Sequence, residues 1–150
     1  MYDHRNRYRC TIIRGKAQSQ VEDLLPVYAS IIIEYEGNNK ELFDEQFNRK
    51  LSNFLSSPTE KTLNNHRTEI AGKLFGMFYF ENDSLVVAPR THKLMGNGDL
   101  PQFFKSIIAN FQFPNGLDAI QTITERVNSR ISLKPFHFIV NLLNIASKKV

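Results

Sequence analysis

Apolar residues in the first half of the chain recur three or four positions apart, and the pattern breaks only where the chain offers poor helix formers. Over residues 17–35 they fall at Val21, Leu24, Leu25, Tyr28, Ile31, Ile32 and Tyr35, which predicts a first helix. Pro26 lies inside it, and a proline there predicts a kink or a division into two shorter pieces. Gly37-Asn38-Asn39 then ends the pattern. Residues 40–55 repeat it, with Leu42, Phe43, Phe47, Leu51, Phe54 and Leu55 in one stripe. Ser56-Ser57-Pro58-Thr59 reads as a compact stop and restart, with Thr59 as an N-cap. A third helix over residues 60–75 is expected to turn Leu63, Ile70, Ala71 and Leu74 inward. Its opposite face is expected to present Lys61, Asn64, Asn65, Arg67 and Thr68.

The period then changes. Gly76-Met77-Phe78-Tyr79-Phe80 and Leu85-Val86-Val87-Ala88 are β-rich runs around Glu81-Asn82-Asp83-Ser84, a hairpin signature. Helix, short turn, helix and hairpin is the order of a winged helix-turn-helix, although helices precede hairpins in many other α+β folds. Gly96-Asn97-Gly98 reads as a flexible turn. Asp99 or Pro101 opens a helix to about Phe111, with Phe103, Phe104, Ile107 and Ile108 inward. A turn at Phe113-Pro114-Asn115-Gly116 leads to helices over residues 117–128 and 133–146. The last is strongly apolar (Phe136, Phe138, Ile139, Leu142, Leu143, Ile145). Such a helix either packs into a core or awaits more chain; the second is the expectation, which makes this chain a fragment. The fold class is therefore mainly α with a small β-hairpin (α+β): a basic arm at 1–16, a winged helix-turn-helix at 17–95, and additional C-terminal helices at 96–150.

Composition supports a packed domain. Of the 150 residues 41% are hydrophobic, twelve of them Phe, enough for one core. The apolar stretch at residues 29–33 is interrupted by Ser30, and no unbroken apolar run comes near the length of a membrane span. The arginine-rich start has no apolar stretch of the signal-peptide kind. A single Cys10 excludes an internal disulfide and fits a reducing compartment, where a small packing role rather than a reactive thiol is expected of it. A cytoplasmic protein is expected, without contact to membranes.

Charge changes the picture most. The first sixteen residues hold Arg5, Arg7, Arg9, Arg14 and Lys16 against Asp3 alone, which accounts for the whole net charge of +4. Tyr2, His4 and Tyr8 are interleaved with them. A basic, aromatic-bearing segment ahead of a neutral body fits a nucleic-acid-binding arm; a disordered, solubilising terminus has the same composition. The polar face of the third helix adds to the first reading. Asn pairs with adenine, Arg with guanine, and Thr can meet the thymine methyl, but an ordinary solvated helix face is polar as well.

Catalytic signatures are missing. His4, His66, His92 and His137 share no metal-ligand spacing, and no His-Glu-x-x-His occurs. Arg14-Gly15-Lys16 and Gly96-Asn97-Gly98 match neither a phosphate loop nor a dinucleotide fingerprint. No acidic residue is followed two positions later by lysine, the arrangement that metal-dependent DNA cleavage of the restriction type requires. No Gly-x-Ser-x-Gly elbow and no paired carboxylates in an apolar setting are found. The expectation is a chain without a catalytic centre, cofactor or metal.

Tyr8-Arg9-Cys10-Thr11-Ile12-Ile13-Arg14-Gly15-Lys16 resembles the N-terminal segment of type IIS restriction endonucleases of the BpuJI kind. The resemblance continues at Asn65-His66-Arg67-Thr68-Glu69-Ile70-Ala71-Gly72-Lys73-Leu74-Phe75-Gly76-Met77 and at Phe111-Gln112-Phe113-Pro114-Asn115-Gly116. It spans nearly the whole chain, and looser similarity extends to AlwI-type and nicking enzymes. In that family an N-terminal region reads a short asymmetric site through two winged-helix subdomains and a basic arm, and a separate metal-dependent nuclease domain cuts at a distance. The resemblance implies that this chain is the first recognition subdomain, a monomer on double-stranded DNA, lacking the second subdomain and the nuclease domain. It assigns DNA contacts to Arg5, Arg7, Arg9, Arg14 and Lys16 of the arm and to Asn64, Asn65, Arg67 and Thr68 of the third helix; Lys61, on the polar face of the same helix, is expected to join them. Two other readings stand beside it: a dimeric winged-helix transcription regulator, and a protein-interaction module whose arm binds an acidic partner.

Overall fold

Helix α1 (Gln18–Glu34) forms the spine of the domain. The computed structural model describes residues 18–114 and 119–147. Leu25, Tyr28, Ala29 and Ile32 of α1 are buried almost completely, as the helical spacing predicts. Pro26 sits on an exposed position of one continuous helix rather than dividing it. After the turn at Gly37, the side chain of Asn39 accepts a hydrogen bond from Leu42 N (2.9 Å) and starts α2 (Lys40–Ser52). Phe43, Phe47 and Leu51 of α2 pack into the core with no exposure, whereas Leu42 and Phe54 remain exposed. The inward stripe of α2 is thus narrower than the sequence pattern.

Helix α2 also ends three residues earlier than expected. The backbone amides of Asn53 and Phe54 bond back to Lys50 O and Leu51 O, a tightened last turn that closes the helix. Residues 53–59 therefore form a longer connection than the compact turn expected at Ser56-Ser57-Pro58, with Ser57 at φ +48°. Thr59 does cap the next helix, its hydroxyl accepting from Thr62 N.

Helix α3 (Glu60–Asn65) passes directly into π-helical turns at His66–Leu74. Their hydrogen bonds reach five residues back, as from Phe75 N to Ile70 O (3.0 Å). The wider turn buries two adjacent pairs, His66 with Arg67 and Ile70 with Ala71. Gly76, at φ +55°, then reverses the chain into the hairpin, a conformation glycine adopts without steric cost.

Strands β1 (Phe78–Glu81) and β2 (Ser84–Val87) pair antiparallel, with Phe78 opposite Val87 and Phe80 opposite Leu85. Asn82 and Asp83 both take positive φ, +49° and +64°, the requirement of a two-residue hairpin turn that matches strand twist. Phe43 meets the rings of Phe78 and Phe80 at 4.8 and 5.9 Å between centroids, joining hairpin to α2. The hairpin is not a free wing. Leu85 exchanges backbone hydrogen bonds with Asn38 and Gly37 (2.8 and 2.9 Å), and the Ser84 hydroxyl donates to Gly37 O.

Helix α4 (Pro89–Asn97) had no counterpart in the hydrophobic pattern, because only Thr91 and Leu94 are buried. Thr91 donates to Met77 O (2.8 Å), tying the helix to the hairpin. Gly96-Asn97-Gly98 is not a turn in itself: Gly96 and Asn97 belong to α4, and Gly98, in the left-handed region, caps it. Asp99 caps α5 (Leu100–Asn110) by accepting from Gln102 N. Phe103 of α5 reaches the core, while Ile108 is exposed.

Helices α6 (Ile120–Asn128) and α7 (Pro135–Ser147) contain no buried residue. A pair of 2.8 Å bonds between Phe113 and Leu133, and ring contact of Phe111 with Phe136, hold this region to the end of α5. Phe138, Ile139, Leu142, Leu143 and Ile145 of α7 are each half exposed or more. The order is that of an α+β domain in which helices surround a two-stranded hairpin. No helix among the described residues is long and apolar enough to cross a membrane.

Candidate nucleic-acid interface

The outer side of the third helix is less uniform than its sequence. Lys61, Asn65 and Thr68 are exposed, and their spacing places them on one helix face. The Thr68 hydroxyl donates to Asn64 O (2.9 Å), one turn back. Asn64 is half-buried and accepts from Asn48 Nδ2 through Oδ1 (2.8 Å).

Arg67 departs from expectation outright: it is 7% exposed. Its Nε lies 3.0 Å from Asp44 Oδ1, and Nη1 donates to Asp44 O (3.0 Å) and to Asn48 Oδ1 (2.6 Å). Burial pulls the guanidinium's pKa down from its ordinary value, and the Asp44 charge opposes that shift; at neutral pH it stays a cation. Arg67 therefore joins α3 and the π-helical turns to α2 instead of facing solvent. The spacing contains this signal. Leu63, Arg67, Ile70 and Leu74 repeat at four, three and four residues, one helix face, so Arg67 falls on the inner stripe.

His66 beside it is also internal. The Tyr28 phenol hydrogen-bonds with His66 Nδ1, and the two rings meet edge-on at 5.9 Å. Burial pushes the Tyr28 phenol well above its ordinary pKa, so it remains neutral. Among the described residues no three His, Cys, Asp or Glu side chains form a group that could hold a metal ion.

A cleft of about 380 Å³ opens between α2, the π-helical turns and β1. Lys40, Thr68, Lys73 and Tyr79 line it, with Arg67 and Asp44 also among its lining residues. The sequence pattern did not single out Lys40, Lys73 or Tyr79, which come from three elements and meet only on folding. Lys40 pairs with Asp44 and Lys73 with Glu69. The hairpin tip carries the exposed acids Glu81 and Asp83, which repel phosphate rather than attract it. Arg5, Arg7, Arg9, Arg14 and Lys16, and Cys10 with them, lie outside the described residues.

Fold and surface define an α+β domain of helix–helix–hairpin order, with an exposed polar helix face next to a cleft bearing cations. The family described as restriction endonuclease BpuJI, N terminal, matches residues 2–150, and the chain belongs to it. No curated protein matches the chain. A crystal structure of the BpuJ1 endonuclease binding domain in complex with pyrene- and phenanthrene-modified DNA is similar to it. That match has 43% sequence identity and a TM-score of 0.77, over 99% of this chain and 54% of that one. The chain thus spans about half the length of the binding domain it matches.

Proposed function

We propose that this chain recognises double-stranded DNA sequence-specifically, as the first recognition subdomain of a type IIS restriction endonuclease. The observation that carries the reading is the 43% identity over 99% of the chain to a domain solved on DNA. The exposed Lys61, Asn65 and Thr68 would face the major groove, and the basic arm, residues 1–16, would hold phosphates. A wing of this fold would be expected to approach the DNA backbone at residues 82–84, but the acidic hairpin tip disfavours that contact. Lys40 and Lys73 at the cleft are the nearer cations.

This reading gives the chain no catalytic step; cleavage belongs to a nuclease domain elsewhere in a longer protein. It also gives α7 a purpose. Its exposed apolar residues would be covered by a second subdomain, and the chain would bind an asymmetric site as a monomer in the cytoplasm. Exposed α7 is equally what the dimeric-regulator reading needs, so the two are separated by stoichiometry. A complex of one chain per duplex on an asymmetric site supports the restriction reading. Two chains on a palindrome refute it. The direct test is titration of labelled duplexes at several salt concentrations. A steep loss of affinity with salt is expected, and a flat dependence overturns the role of the arm.

A further inference from the structure

The Arg67 guanidinium sets the direction of every hydrogen bond in a short relay that ends at Asn64. Arginine can only donate, so Asn48 must present its carbonyl oxygen to Nη1 (2.6 Å). Its amide is then committed to the other side, where Nδ2 donates to Asn64 Oδ1 (2.8 Å). Asn64 in turn points its oxygen inward and leaves its own NH₂ for whatever meets the helix. Among the described residues that NH₂ has no acceptor. A buried cation thus fixes the polarity of a half-exposed amide on the neighbouring turn.

We infer that Asn64 is a hydrogen-bond donor at the DNA surface, selective for an acceptor edge such as guanine O6 and N7, with Asn48 and Arg67 as its positioning residues. This rests on the DNA-recognition reading and sharpens it. It also corrects the pairing expected of asparagine. Bidentate contact with adenine needs both a donor and an acceptor from the amide, and here Oδ1 is already engaged by Asn48. In duplex DNA, guanine presents two adjacent acceptors in the major groove, whereas adenine sets an acceptor beside a donor.

The test is selection of bound sequences from a randomised duplex pool by the wild-type chain and by Asn48→Asp and Asn64→Asp. Asn48→Asp keeps an acceptor for Arg67 but loses the donor to Asn64. The Asn64 amide then turns its NH₂ inward to the new carboxylate and its oxygen outward. At one base pair the preference should move from guanine to a base offering a donor, adenine or cytosine, by about tenfold or more. Other positions keep theirs. Asn64→Asp still accepts from Asn48 but presents oxygen outward, and should lose the guanine preference at the same position. Unfolding curves taken alongside show that each variant is folded, and either variant alone decides the matter. Unchanged preference at every position, or a uniform loss on all sequences, overturns the inference. A wild-type chain that enriches no sequence overturns instead the DNA-recognition reading beneath it.

Discussion

Replacing Arg67 with methionine removes the cation but keeps much of the side-chain length, and the structure says what that costs. The substitution deletes the 3.0 Å contact to Asp44 Oδ1 and the donations to Asp44 O and Asn48 Oδ1. Breaking a buried pair by removing one partner costs about 3–5 kcal/mol. The Asp44 side chain is 23% exposed, so water recovers part of its solvation, and roughly 2–4 kcal/mol is expected here. For a chain of this size that lowers Tm by roughly 5–15 °C. The assay is urea and thermal unfolding followed by circular dichroism, with Lys61→Ala as the comparison on the exposed face. Lys61→Ala should stay within about 0.5 kcal/mol of wild type. Adding Asp44→Asn to Arg67→Met completes a double-mutant cycle, and a coupling of about 1–3 kcal/mol is expected from direct contact. Unfolding curves of Arg67→Met that superimpose on wild type, together with weaker DNA binding, would refute the internal role and return Arg67 to the DNA surface.

Other outcomes follow from the same structure. Gly76→Ala forces a side chain into a positive-φ position and should cost about 1–2 kcal/mol, read by urea denaturation. Leu51→Ala, at a position with no exposure, should cost about 2–5 kcal/mol. Leu143→Ser on α7, 63% exposed, should change stability by less than about 0.5 kcal/mol, read by urea denaturation. Tyr28 titrates above its ordinary value of 10.0 in the folded chain, so its contribution is intact below that pH. It is lost as pH rises from there towards the folded value, because the unfolded chain then releases the proton first. Unfolding between pH 8 and 11 should show this fall, and Tyr28→Phe should flatten it. Arg5→Ala and Arg7→Ala should each reduce the salt slope of DNA binding by about one unit, measured by fluorescence anisotropy.

What could be read in the sequence is what local chemistry decides. The caps at Thr59 and Asp99, the core residues Phe43, Phe47 and Leu51, and the Asn82-Asp83 turn all follow from residues within a few positions of one another. Helix α4 was not legible because its packing uses two side chains, one of them a threonine bonded to Met77 O. The exposure of α7 was the expectation, but one chosen between two readings, since apolar spacing fixes which residues can be buried and not whether a partner is there. At the candidate interface, residue chemistry misdirected the reading of Arg67. Its charge pointed outward, while the spacing with Leu63, Ile70 and Leu74 pointed inward, and Asp44 and Asn48 on another helix make the inward position stable. Asn48 itself carried no signal, because its role exists only once α2 and α3 are side by side.

Whether this chain reads duplex sequence is decided by selection from a randomised duplex pool at near-physiological salt. Enrichment of one short asymmetric sequence, bound by one chain per duplex, is the expected result. Random recovery, a palindrome bound by two chains, or no DNA retained at all would contradict it.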